Sequence, residues 1–314
     1  HPGRRSPGGA RPSRTACEHD EAGDREEDRR RHEEGRGLTL PNALLAHAAR
    51  HPEDPWLFHP EGWHWPWCSW KRLANGAASW AGTLTALPPG TPTAFLWNPH
   101  PPAVALDLAI QAAGLVSVPV TDPGQARERG ARAWAGLAGS AGPEVLEHVA
   151  LPAWHSASES ERDADFPSRP AGGVMVSGPR EVSQEELIAT ADRLQEEIGG
   201  EGREIAVAGR APERWADRAF FSWATVHGAA VLLAPDPSSL IGSAVWARPT
   251  VFQGTPAELK ALRHAVEQEK PPFWDRRAGR LPFGRLRVVL CEELAEEERR
   301  FWEGRGVRVG ALTL

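Results

Sequence analysis

The chain has 314 residues, 40% of them hydrophobic and 25% charged, with a formal net charge of −6. That length can bury a core for one large or two smaller domains, and the charge excludes the basic excess by which proteins grip nucleic acid or anionic membrane. Cys17, Cys68 and Cys291 are isolated and odd in number; they fit neither a disulfide framework nor a paired zinc site and point to a reducing, cytoplasmic setting.

Residues 1–37 are rich in Gly, Pro, Ser, Arg and mixed charge. They offer too little apolar surface to offset ordering entropy and are expected to be an unstructured tail. The body begins at Leu38. Thr39 is placed to cap a helix through Arg50, with Pro41 tolerated in its first turn. Pro55 to His59 and Trp63 to Cys68 read as a hairpin turned at Pro60-Glu61-Gly62. Ser69 caps a second helix, Trp70 to Leu87. Thr93 to Trp97 reads as a strand, Pro102 to Ala113 as a helix and Leu115 to Val120 as a strand, an alternation that argues for a parallel α/β layer. This longest apolar stretch is interrupted by Asp107 and Gln111 and is too broken for a membrane span. Residues 124–168 are weakly patterned. Beyond them come a helix from Ser183 to Ile198, a strand at 204–208, a helix from Arg214 to His227 and a strand at 229–233. A strand at 249–252, a helix from Pro256 to Glu269, a strand at 286–290, a helix from Glu292 to Gly304 and a strand at 307–309 complete the series.

Several motifs reduce to simpler readings. The Trp56, Trp63, Trp65, Trp67 and Trp70 cluster has the look of a sugar-stacking platform, but aromatics on a hairpin packed against a sheet account for it. His59, His64 and Cys68 match no paired metal-ligand spacing. Gly199-Gly200-Glu201-Gly202 lacks the third glycine of a dinucleotide loop and follows a helix rather than a strand. No Gly-x-Ser-x-Gly elbow or Cys/His nucleophile pair is visible, and Glu292 to Arg300 reads as a solvated helix face.

The stretch from Ala171 to Val182 is the most telling. An apolar run ends in Ser177-Gly178, continues through Pro179-Arg180 and leads to a helix start at Ser183. It resembles the phosphate-binding loop of adenylate-forming (AMP-binding) enzymes, the superfamily of acyl-CoA synthetases, luciferases and the adenylation domains of peptide synthetases. That loop reads roughly Thr-Ser-Gly-Ser/Thr-Thr-Gly-x-Pro-Lys-Gly-Val; here its middle is lost and Pro-Lys has become Pro179-Arg180. Five other segments are similar to the family in the same order: Thr39 to Leu87, Pro102 to Asp122, Gly228 to Leu233, Arg248 to Pro256 and Leu286 to Cys291. A plain strand-to-helix turn at Ser177-Gly178 remains the alternative.

The resemblance implies an α/β fold of two layered subdomains, roughly 38–170 and 171–314, like the large N-terminal domain of acyl-adenylating ligases with the C-terminal portion absent. It implies ATP and magnesium as cofactors and a carboxylic acid converted to acyl-AMP and passed to a thiol. The nucleotide site would be vestigial, formed by Ser177, Gly178, Arg180 and Thr313, with no catalytic residue and no metal ligand assigned. Cys291-Glu292-Glu293 stands where the family has Gly-Gly-Glu beside adenine, and two carboxylates there repel a polyphosphate. If Gly310 to Leu314 aligns with the family's Tyr-Gly-x-Thr-Glu, Leu314 takes the place of the magnesium carboxylate. Arg210-Ala211-Pro212-Glu213 replaces the usual Pro-Leu-Phe-His of the acyl pocket. The expectation is an impaired, truncated acid–thiol ligase whose uncovered C-terminal face favours self-association or docking. A non-catalytic domain binding an acyl group or nucleotide, and an unrelated doubly wound α/β protein, stay open beside it.

Overall fold

Hydroxyl caps set where several helices begin. Thr39 Oγ1 accepts from Asn42 N at 3.3 Å and opens α1, Leu40–Arg50. Ser69 Oγ accepts from Arg72 N at 3.2 Å and opens α2, Trp70–Leu84. Ser183 Oγ accepts from Glu186 N at 3.2 Å and opens α6, Gln184–Ile198, whose first-turn Glu185 and Glu186 also suit the helix dipole. The computed structural model describes residues 38–59, 66–137, 142–159, 164–176, 180–199, 204–208, 210–234, 249–268 and 285–311. The predicted tail at 1–37 lies outside them.

The remaining helices are α3, Pro101–Ala112; α4, Gln125–Glu128; α5, Trp154–Ser158; α7, Trp215–His227; α8, Pro256–Gln268; and α9, Glu296–Glu303. The strands are β1, Pro55–Phe58; β2, Trp67–Ser69; β3, Pro92–Leu96; β4, Val116–Val120; β5, Ala133–Leu137; β6, Glu147–Leu151; β7, Val174–Val176; β8, Arg180–Val182; β9, Ile205–Ala208; β10, Ala230–Leu233; β11, Val251–Gln253; β12, Val288–Cys291; and β13, Arg308–Ala311.

Two mixed sheets result. One has seven strands in the order β13-β12-β11-β9-β10-β1-β2, the other six in the order β6-β5-β3-β4-β7-β8. Every pairing is parallel except β1 with β2 and β7 with β8. The all-buried run of β4 is what a parallel strand covered on both faces requires. The largest core joins α1, α2, α3, α6 and α7 to the inward faces of both sheets, with Trp56, Trp80, Phe95 and Trp223 wholly buried in it. Alternate residues point the other way: Leu232 and Phe252 meet α8 and α9, and Ala94 and Val118 meet Trp134.

The sheets do not divide the chain at residue 170. The early hairpin β1–β2 extends the large sheet beside β10, and the later hairpin β7–β8 extends the small sheet beside β4. Thr39–Leu314 forms one compact unit. The weakly patterned stretch 124–168 holds α4, α5 and two strands, β5 and β6, that the sequence reading left unassigned. β6 is an edge strand with mostly exposed residues, so no hydrophobic periodicity marks it.

Gly172 fixes the entry into β7. Its N–H donates to Gln111 O at 2.8 Å, and a Cβ there would stand 1.8 Å from the Leu115 carbonyl oxygen. Only glycine allows this approach of the two backbones.

Candidate functional site

In open α/β sheets ligands bind outside the carboxyl ends of the strands. At that end of the large sheet β9, β11 and β12 finish at Ala208, Gln253 and Cys291. The surrounding side chains are charged and mutually paired. Asp217, in the first turn of α7, is buried, with Oδ1 3.1 Å from Arg210 and accepting from Gln253 Nε2 at 2.8 Å. Arg210 also lies 3.5 Å from Glu258. Glu258 Oε2 accepts from Thr255 N at 2.7 Å, which holds the start of α8. Arg214, the residue before α7, pairs with Glu292 just after β12.

Burial pushes the Asp217 carboxyl above the usual range, and the nearby Arg210 and the Gln253 amide oppose that rise. The Cys291 thiol is likewise pushed up, first by burial. The cavity left among Arg210, Arg214, Gln253, Thr255 and Glu292 is about 40 Å³. Small-molecule sites commonly hold about 300–1,000 Å³. With Asp217 ionised, two guanidinium groups face three carboxylates, an unfavourable balance for a polyphosphate. The described residues at this end of the sheet therefore do not fit ATP with magnesium.

Of the sequence-chosen nucleotide residues only Arg180 is described; Ser177, Gly178 and Thr313 lie outside. The strands on either side of the Ser177-Gly178 segment pair antiparallel, Val176 with Arg180 and Val174 with Val182, before Ser183 caps α6. Arg180 is exposed, forms an ion pair with Glu186 and stands 5.5 Å from the centroid of the Trp215 ring. Its guanidinium is engaged by the first turn of α6 and by the start of α7. Glu292 is likewise engaged by Arg214.

Two further ties close the space between the sheets. Arg129 donates to Pro119 O at 2.6 Å and lies 3.5 Å from Glu213. Arg218 of α7 donates to Asp107 of α3 at 2.5 Å, deep in the shared core. Sequence reading missed the Arg210–Asp217 and Arg218–Asp107 pairs because the partners sit on separate elements. The legible signal was Asp217-Arg218 inside an otherwise apolar helical run, a charge pair that only partners can make tolerable in a core.

Among the described residues there is no cluster of three or more His, Cys, Asp or Glu able to hold a metal. Trp56 and Trp70 are buried and stacked at 4.2 Å, so they form core rather than a sugar platform. Trp63, Trp65 and His64 lie outside the described residues. No helix among those described is long and apolar enough to cross a membrane.

No protein-family model matches the chain, and no curated protein matches it in sequence. Solved structures match it in shape. The nonribosomal peptide synthetase FmoA3 in its AMPPNP-bound form superposes with a TM-score of 0.70 at 17% identity, over 87% of this chain and 31% of that one. The N-terminal domain of FACL13 from Mycobacterium tuberculosis gives 0.66 at 16% identity, over 86% and 74% of the two chains. The o-succinylbenzoate coenzyme A synthetase of Bacillus subtilis, in complex with AMP, gives 0.64 at 14% identity, over 86% and 72%. This chain thus spans about a third of the peptide synthetase and most of the isolated N-terminal domain. Its two mixed sheets and the helices between them have the fold of the large N-terminal domain of adenylate-forming enzymes.

Proposed function

We propose that this chain uses the adenylate-forming fold without making adenylates, as a ligand-binding or docking domain in a reducing, cytoplasmic setting. The observation that carries the reading is the crevice at the carboxyl ends of β9, β11 and β12, filled by the Arg210–Asp217 and Arg214–Glu292 pairs and holding about 40 Å³. Opening it for a nucleotide means parting Arg210 from the buried Asp217, which costs on the order of 3–5 kcal/mol, and breaking the exposed Arg214–Glu292 pair, which adds about 0–1 kcal/mol. The buried free thiols of Cys68 and Cys291 support the reducing setting. The second reading, an acid–thiol ligase, is favoured by the AMPPNP- and AMP-bound relatives.

Acid-dependent exchange of labelled pyrophosphate into ATP separates the two. The purified chain is assayed with magnesium over a panel of fatty, aryl and amino acids, beside a titration with a fluorescent ATP analogue. We expect no exchange above background and no saturable nucleotide binding below millimolar concentration. Exchange that depends on one acid and disappears in Arg180→Ala would establish the ligase instead.

A further inference from the structure

The small sheet carries a second crevice of a different character. Its strand order, β6-β5-β3-β4-β7-β8, reverses at β3: the chain moves to β4 on one side and then to β5 on the other. The segments leaving β3 and β5 therefore diverge, and such a switch point is where open α/β sheets bind ligands. At the carboxyl ends of these two strands lies a cavity of about 610 Å³, well within the range of small-molecule sites. Leu96 of β3, Leu137 of β5, Leu106 of α3, Trp154 of α5 and Trp67 of β2 supply apolar wall. Among the described residues, Trp67, Leu96 and Leu137 are three of only four large hydrophobic side chains that stay exposed, at 49%, 47% and 44%. Solvent-facing apolar surface is thus concentrated at this one place.

The charge on the wall has one sign. The ionisable groups lining it are Arg72, His59, His100, His155 and Cys68, with no carboxylate among the described lining residues. Burial pushes the Cys68 thiol up to about 12, so it adds no negative charge. The His59 and His100 rings meet edge-on with centroids 5.2 Å apart. His100 precedes α3 without a side-chain cap, and the first residues of that helix line the cavity, so its positive dipole end faces the space. Glu159 lies 3.6 Å from Arg72 and 3.4 Å from His155, but its side chain is 64% exposed and does not line the cavity.

We propose that this cavity is a binding site for a flat apolar anion of the aromatic carboxylate type, its ring system against the tryptophan and leucine wall and its charge drawn by Arg72 and the neighbouring imidazoles. The assignment does not rest on the reading of the large sheet's crevice, which lies on the other sheet.

Isothermal titration with 2-naphthoate tests it, with 2-naphthylmethanol as the neutral counterpart and a maltooligosaccharide as the sugar control. We expect one site per chain, with the carboxylate binding at least about tenfold more tightly than the alcohol, the size of one charge-assisted contact. Arg72→Gln should bring the two ligands to similar affinity. Leu96→Trp, at a half-exposed position on the cavity wall, should abolish binding of both, with thermal melts checking that each variant stays folded. The proposal is overturned if 2-naphthoate gives no saturable heat, if its binding survives Leu96→Trp, or if the alcohol or the oligosaccharide binds as tightly.

Discussion

Arg218 and Asp107 show how much one residue pair can decide. Both are buried, and Asp107 accepts from Arg218 at 2.5 Å, from Ser117 at 2.5 Å and from Gln111 at 3.1 Å. The chain of contacts continues from Gln111 to Gln184 at 2.7 Å and on to the Leu40 N–H at 2.9 Å. Four helices and a strand are therefore registered through one polar thread. Replacing Arg218 with Met would leave the Asp107 carboxylate buried with only neutral donors, and we expect a loss of about 3–5 kcal/mol in urea unfolding. Asp107→Asn in the same background should restore part of it. A single-variant loss below about 1 kcal/mol would mean that Asp107 finds water without its arginine.

At the scale of elements, α1 docks on α7 through His47. Its Nε2 lies 3.0 Å from Val226 O, and its ring stacks on Trp70 at 4.5 Å. Burial holds its pKa below the ordinary value of 6.5, the Val226 contact opposes that shift, and the charges of Arg50, His51 and His227 reinforce it. The unfolded chain therefore takes up this proton first as pH falls. Stability from the neutral imidazole is full above about 6.5 and declines through the depressed folded pKa, by at most about 1.4 kcal/mol per pH unit. His47→Gln keeps a donor for Val226 O and should flatten that slope between pH 7 and 5. Equal slopes in the two proteins would refute the assignment. Several helix starts were legible in the sequence: Thr39 and Ser69 cap as read, and the helix read from Ser183 begins there with Ser183 as its cap, whereas α7 starts after Arg214 with no side-chain cap. Helix ends were less so, α2 stopping at Leu84 rather than Leu87. The strands β5 and β6 were illegible, since Ala-Trp-Ala-Gly-Leu and Glu-His-Val-Ala-Leu carry little β-branched character. The cavity at β3 and β5 was hidden for the same reason: one of its two strands had not been assigned. His59 and Cys68 were weighed with His64 as metal ligands and Trp67 as part of a sugar platform, both set aside, and neither reading pointed to an apolar anion.

For the molecule as a whole, order along the chain and order in space part company. The sequence reading divides the body near residue 170, yet each sheet takes a hairpin from the other side of that point. Pieces 38–170 and 171–314 would each carry two strands without their partners, and we expect neither alone to give near-ultraviolet dichroism or a cooperative urea transition. A cooperative transition in either would restore the two-subdomain division. The same exchange of hairpins bears on birth at the ribosome. Trp56 Nε1 donates to Ala229 O, 173 residues further along, and Leu57 pairs with Val231. At about 5–20 residues per second, the β1–β2 hairpin waits roughly 10–35 s for β10 to emerge. During that interval its indoles have no sheet to cover them. Yield in the cell should accordingly rise with added holdase chaperone, and fall when translation is slowed by rare codons placed between residues 70 and 229.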